Sequence, residues 1–270
     1  GRPRPLRLHM LSAAQHEAVT SEAARPLQIL AGPGSGKTRV LTSRVAHLVR
    51  DSAAPIAPER CVVVTFTNRA ANEMRARLET MIGADRTRRL VLGTFHAVCV
   101  RFLRRWGTRL GLDPRFTIAD TDDARRLLRD VDHDAPVDAT LAAISRAKAH
   151  GWTPDELRAS AQHAPGSPAH TEHLALCRTY AAYQQQLRTS HALDFDDLLL
   201  LGVRLFREHP ELTTHIDHVL VDEFQDTNAV QYELLRRLSR HVSVVGDPDQ
   251  SIYSWRHADV RHIERMHLDF

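Results

Sequence analysis

Short apolar runs alternate along this chain with longer stretches whose apolar positions recur at helical spacing. Residues 27–30, 61–66, 90–92, 218–221 and 242–245 are the short runs, and their length and β-branched content predict buried strands. Helical patterns occupy residues 12–22, with Ser12 as N-cap, 40–48, 68–81, with Asn68 as cap, 95–106 and 194–206, and another helix starts at Asn228. Strands apolar along their whole length and separated by helices predict an α/β fold, a parallel sheet covered on both faces. In such a sheet a ligand lies at the carboxyl ends of the strands.

From about residue 107 to 191 the pattern changes. Strand-like runs vanish, and helical segments are divided by breakers at Gly111, Pro114, Pro136, Gly151, Pro154, Pro165 and Pro168. Charges of both signs alternate there, as on a solvated helical surface. The segment is predicted to be a mostly helical insertion, 107–191, between a first part of the sheet domain, 10–106, and a second part, 192–270. Residues 1–9, basic and proline-rich, are predicted to form a flexible leader.

Composition adds limits. With 270 residues, 43% of them hydrophobic, the chain has enough apolar content for a sizeable core. No apolar run reaches membrane-spanning length, and no signal peptide precedes the fold, so a cytoplasmic location is expected. Cys61, Cys99 and Cys177 are widely spaced and read as buried thiols. His170 and His173 have no further ligands beside them and predict no zinc site. The net charge of +3 permits a polyanionic partner without requiring one. The first residue is Gly rather than Met, which suggests a segment of a longer protein. Arginine dominates the basic residues, and only Lys37 and Lys148 are lysines. Lys37 is therefore notable, because a compact ammonium fits between phosphates where a guanidinium does not.

Lys37 sits in Ala31-Gly32-Pro33-Gly34-Ser35-Gly36-Lys37-Thr38, between a predicted strand and a predicted helix. Glycines let successive backbone N–H groups turn around phosphates, and the helix N-terminus adds positive potential. Lys37 can reach the β- and γ-phosphates, and the Thr38 hydroxyl can join Mg²⁺. Position 31 is alanine where the strict pattern has glycine, so Gly32 and Gly34 supply the flexibility. The strand at 218–221 ends in Asp222-Glu223. Asp222 is placed to hold Mg²⁺, and Glu223, one residue on, to orient or deprotonate an attacking water. The 185 residues from Lys37 to Asp222 exceed a compact nucleotide fold, and the insertion accounts for the excess.

These residues fall within an ordered series of motifs. They are Leu11 to Gln15, residues 31–39, Val64 to Ala71, Gly93 to His96, Leu193 to Leu198, Val221 to Asn228 and Val245 to Arg256. Over residues 10–260 the chain resembles superfamily 1 DNA helicases of the UvrD/Rep/PcrA type. The resemblance implies a RecA-like P-loop NTPase domain with a helical insertion, acting with ATP and Mg²⁺. It implies adenine contact by Gln15 and nucleotide proximity for Arg39. It further implies 3′→5′ movement on single-stranded DNA, work at single-strand/duplex junctions, a role in DNA repair or replication restart and a nucleoid-associated location. A second RecA-like domain, supplying arginines to the γ-phosphate, is expected elsewhere in the full-length protein. This portion alone is expected to hydrolyse ATP poorly and to unwind nothing. Ser12, Phe224 and His257 depart from the usual Asn, Tyr and Gly, and none removes a catalytic group.

Residues 245–256 also make physical sense as a coupling loop. The neutral amide of Gln250 can bond a γ-phosphate oxygen, while Tyr253 and Trp255 can stack on bases without reading sequence. Phe66 is a further stacking residue, Thr65 and Thr67 can bond the DNA backbone, and His96 and Arg256 can contact phosphates. Two other readings use the same phosphate loop: a nucleotide-dependent switch and a small-molecule kinase. Neither needs Gln250 or the aromatic loop. Asp194, Asp196 and Asp197 are expected to cap and pack a helix rather than to bind metal.

Overall fold

The computed structural model describes residues 8–161, 164–239, 241–247, 265, 266 and 268–270. Two compact units emerge, one from the N-terminal part to Val98 together with Phe206–Phe270, the other Cys99–Leu205.

The first unit is built on a parallel sheet, as its unbroken apolar runs predict. Among the described residues it has five strands: β1 (Leu27–Leu30), β2 (Cys61–Thr65), β3 (Val91–Thr94), β6 (His218–Val221) and β7 (Val242–Gly246). Their order across the sheet is β1-β7-β6-β2-β3. The three central strands are buried at every position. Helices cover them: α1 (Ala13–Thr20), α2 (Lys37–Ala46), α3 (Asn68–Ile82), α4 (Ala84–Arg89), the start of α5 (Phe95–Trp106) and α11 (Ala229–Leu238). Leu41, Val45, Leu48, Met74, Leu78 and Ile82 from the helices pack with Val63, Leu220 and Val245 from the sheet. Chain order and sheet order differ in a way that matters. The late strands β6 and β7 enter between β1 and β2, so the acidic strand ends arrive beside the phosphate loop.

Local chemistry sets the helix starts. Ser12 caps α1 in a reciprocal box with Gln15, and Asn228 does the same for α11 with Gln231. The cap of α3 is Thr67, not Asn68: Thr67 Oγ1 accepts from Ala70 N at 3.1 Å. Asn68 is already helical, since the extended residue before it carries the stronger cap geometry. β3 begins one residue later than predicted because Leu90 closes the unforeseen short helix α4. The predicted helix at 40–48 begins earlier, at Lys37, because Gly36 forms its N-cap. It ends in a wider turn over His47–Asp51.

The second unit is mostly helical. It contains α6 (Thr121–Val131), α7 (Val137–Ala149), α8 (Pro154–Ala159), α9 (Pro168–Thr189) and most of α10 (Phe195–Glu208). Strand structure does not vanish here, contrary to the sequence pattern. β4 (Thr117–Ile118) pairs in parallel with β5 (Ala192–Leu193). Two residues per strand are too few to leave a periodic signal. Leu128, Ile144, Cys177, Tyr180, Tyr183 and Leu187 form the unit's core. Asp194 and Asp197 do cap α10: Asp194 Oδ1 accepts from Asp197 N at 2.8 Å. They also enclose Lys148, whose Nζ lies 2.5 Å from Asp194 and 2.8 Å from Asp197.

Candidate active site

All five strands of the main sheet are parallel, so their carboxyl ends share one edge. The phosphate loop leaves β1 there. Gly34 and Gly36 take φ values of 71° and 84°, which side chains with a Cβ avoid. Gly36 serves as the N-cap of α2, so the loop passes directly into the helix N-terminus. Residues 32–35 are exposed. Ser35 Oγ donates to Gly32 O at 2.6 Å, which closes the loop on itself.

Lys37 is the first residue of α2. Its Nζ donates to Ala31 O at 3.0 Å and lies 3.2 Å from Asp247 Oδ2. Asp247 directly follows β7, the neighbour of β1, which is why the two meet. Thr38 Oγ1 donates to Asp222 Oδ2 at 3.4 Å. Asp222 follows β6 and is only 3% exposed. Burial, and then the adjacent Glu223 carboxylate, push the Asp222 pKa up to about 6; the Thr38 hydrogen bond and Lys37 work the other way. Thr38 and Asp222 offer hard oxygen donors of the kind Mg²⁺ takes, and a cation would offset the strain of a buried carboxylate.

Glu223 differs from its neighbour. It is half-buried and takes φ 50°, a left-handed conformation uncommon for a residue with a side chain. The short turn Phe224–Asp226 holds it there, with Asp226 N donating to Glu223 O at 3.0 Å. The conformation turns the two consecutive carboxylates to different environments, one enclosed and one accessible.

Gln15 and Arg39 flank the loop. Gln15 Nε2 donates to Ser35 O at 2.9 Å, and a Cβ on Gly36 would sit 3.4 Å from that same nitrogen. Arg39 reaches Met10 O at 3.1 Å, tying the segment before α1 to the start of α2. Beneath them the buried Arg44 donates to Ser243 Oγ at 2.7 Å and to carbonyls of Ala18 and Ser21 at 2.9 and 3.1 Å. Arg44 thereby anchors the C-terminal end of α1, the helix that carries Gln15, to β7. Arg44 was not foreseen, since an arginine in an amphipathic helix reads as surface.

Four of the predicted nucleic-acid contacts, Thr65, Phe66, Thr67 and His96, lie on the adjoining part of the same edge. Thr65 and Thr94 are register partners at the ends of β2 and β3, and Phe66, Thr67 and His96 follow them. Thr67 is exposed, and Phe66 and His96 are partly so. Phe66 meets Phe95 edge-to-face, with centroids 5.4 Å apart. Thr65 is fully buried and donates to Thr67 O at 3.1 Å, so it shapes this edge from beneath. Burial holds His96 below its usual pKa, which favours the neutral ring. Gln250, Tyr253, Trp255 and Arg256, with His257, lie outside the described residues.

Two residues without a predicted role complete the cluster: Asp247 and Gln225. Asp247 carries the signal that identified Asp222, an acid ending an apolar strand. Gln225 gives no such signal, because an amide four residues beyond a strand end is ordinary turn chemistry.

Comparisons with known proteins identify relatives of this chain. Residues 11–270 match the family model of the UvrD/REP helicase N-terminal domain. The ATP-dependent DNA helicase PcrA of Leuconostoc citreum is 41% identical over 270 residues, covering 95% of this chain and 35% of that protein. The proteins of the same name from Staphylococcus aureus (strain Mu50) and Staphylococcus epidermidis are each 38% identical over 97% and 96% of this chain. The chain spans about a third of the length of these curated relatives, 36% in both staphylococcal proteins.

Proposed function

Given that the chain belongs to the UvrD/REP helicase family, we propose that it is the ATP-binding portion of an ATP-dependent DNA helicase. The observation that carries this reading is the meeting of Lys37 with Asp247 and of Thr38 with Asp222 at one sheet edge, from segments far apart in sequence, with Glu223 next in the chain after Asp222. Lys37 and the loop backbone bind the β- and γ-phosphates, and Gln15 lies by the adenine, with Arg39 close to the nucleotide. Mg²⁺ held by Thr38 and Asp222 would neutralise charge that develops on the phosphates. Glu223 orients the attacking water and takes its proton.

The DNA strand lies across Phe66, Thr67 and His96, over strands adjacent to those that hold the nucleotide. Gln250 senses the γ-phosphate, and Tyr253, Trp255 and Arg256 continue the DNA track; these roles rest on the motif resemblance alone. Hydrolysis drives 3′→5′ movement on single-stranded DNA toward junctions with duplex, in repair or replication restart at the nucleoid. A second RecA-like domain of the full-length protein supplies arginines to the γ-phosphate, so the present portion alone turns over little ATP. Among the described residues no helix is long and apolar enough to cross a membrane.

The test uses the full-length natural protein with and without single-stranded DNA. ATP turnover that rises with the strand, and falls by roughly 10²–10⁴ in Glu223→Gln while ATP binding persists, supports the reading. Turnover indifferent to DNA favours a switch or a kinase. Unchanged turnover in Glu223→Gln removes that residue from the hydrolytic role.

A further inference from the structure

The carboxylate proposed to activate water is held by a side chain with no assigned role. Glu223 Oε2 accepts a hydrogen bond from Gln225 Nε2 at 2.8 Å. The other end of the same amide, Gln225 Oε1, accepts from the backbone N–H of Asp247 at 2.9 Å. Gln225 is 2% exposed, so bulk water does not compete for either bond. Asp247 in turn faces Lys37 at 3.2 Å. One chain of contacts therefore runs from the phosphate-loop lysine through Asp247 and Gln225 to Glu223, across the ends of β7 and β6.

Chemistry restricts what can occupy position 225. The residue must donate to a carboxylate and accept from a backbone N–H, which a side-chain amide does with its two ends. A carboxylate there keeps the acceptor but turns like charge toward Glu223. A thioether fills the space and makes neither bond. The strand end is shaped for the crossing as well: a Cβ on Gly246 would lie 2.9 Å from Gln225 Oε1 and 3.4 Å from Gln225 N. Glu223 itself is half-buried on a flexible side chain, so without this bond several rotamers are open to it.

We propose that Gln225 is a positioning residue for ATP hydrolysis, fixing the Glu223 carboxylate and tying it to the end of β7 beside Lys37. The placement of the base then depends on the strand whose continuation, residues 248–256, carries the coupling motif. This inference rests on the reading of Glu223 given above.

Gln225→Met, Gln225→Glu and Gly246→Ala in the full-length protein, beside Glu223→Gln, provide the test. The measurements are affinity for a fluorescent ATP analogue, ATP turnover with single-stranded DNA, and melting temperature. Each of the first three variants is expected to lower kcat by roughly 10–100-fold, the effect of a misplaced catalytic group, with affinity kept within about threefold. Gln225→Glu retains the bond to Asp247 and the fold, yet falls as far as Gln225→Met. Gly246→Ala displaces Gln225 without altering it and gives the same pattern. Should Gln225→Met fail to fold, the other two variants carry the test. Turnover within twofold of the parent in Gln225→Glu and Gly246→Ala overturns the proposal, as does affinity falling in step with kcat. If Glu223→Gln is inactive while the Gln225 and Gly246 variants are not, only this inference fails. If Glu223→Gln turns over normally, the underlying assignment fails with it.

Discussion

The only two lysines of the chain, Lys37 and Lys148, both face aspartates, and their surroundings differ in kind. Lys148 has a side chain with no exposure, and its three donors are matched by Asp194, Asp197 and Gln184, the last at 3.2 Å. The rings of Tyr180 and Tyr183 stand 5.7 and 5.5 Å from its ammonium. Burial pulls its pKa down, and Asp197 and Asp194 more than restore it, so the charge is held above its ordinary range. Lys37 has one carboxylate partner, Asp247; its other acceptors are Ala31 O and Gly32 O at 3.0 and 3.5 Å, its side chain is 10% exposed, and residues 32–35 of the glycine loop are exposed beside it at the start of a helix. The lesson is that residue types alone do not separate a structural ion pair from a working one. Enclosure of the cation among buried side-chain partners marks the first. An exposed backbone loop that itself supplies two of the ammonium's acceptors marks the second.

The most disruptive change should be Lys148→Ala. It leaves two carboxylates in a buried setting without their cation, a loss of about 3–5 kcal/mol of unfolding free energy. Urea unfolding checks this, and nucleotide affinity is expected to stay within about threefold of the parent, as an ordinary side-chain effect. Replacing Asp194 and Asp197 by Asn in the same variant should recover more than half of the loss, since Asn still caps α10. A loss below about 1 kcal/mol would erase the contrast between the two lysines.

The unit with the phosphate loop has a buried titratable group of its own, and pH exposes it. His218 is fully buried with Nε2 2.8 Å from Ser243 Oγ, and burial, then Arg44 and His241, pull its pKa down to about 3. The unfolded ring takes a proton near 6.5 while the folded ring does not. Its stabilisation is therefore complete above pH 6.5 and is lost as pH falls toward 3. By pH 4.5 that loss is about 2–3 kcal/mol. Urea unfolding at pH 7.5 and 4.5 should show a smaller difference in His218→Gln than in the parent. Equal differences would show that the ring does not contribute.

A smaller effect is expected at the loop itself. Gly36→Ala forces a Cβ into φ 84° and into contact with Gln15 Nε2, at about 1–2 kcal/mol. Melting temperature and ATP-analogue affinity should both fall, and a variant as stable as its parent would contradict the left-handed cap. Smallest is Thr67→Ala, which removes the α3 cap at about 1 kcal/mol. Thermal unfolding measures it, and Asn68→Ala should leave the melting point closer to the parent's.

The sheet, the loop and the acidic pair were legible because each leaves a contiguous signature. An apolar run followed by glycines and Lys-Thr is read without knowing the fold, and so is a run ending in Asp222-Glu223. Arg44 and the Gln225–Asp247 bond were not legible, because they depend on β7 lying between β1 and β6, a sheet order that no local pattern encodes. The pair β4–β5 escaped for a different reason, each strand spanning no more than a single period of the strand pattern. Thr67 as cap was a near miss, since Thr and Asn are both good caps and only backbone geometry separates neighbours.

The central claim is that Lys37, and not its chemical twin, is the ammonium that binds a triphosphate. Equilibrium titration of the parent, Lys37→Ala and Lys148→Ala with a fluorescent ATP analogue in Mg²⁺, at a temperature where all three are folded, tests it directly. Lys37→Ala is expected to weaken binding roughly 10–100-fold, the worth of a charge-assisted hydrogen bond, while Lys148→Ala binds like the parent. Parent-like affinity in Lys37→Ala would contradict it.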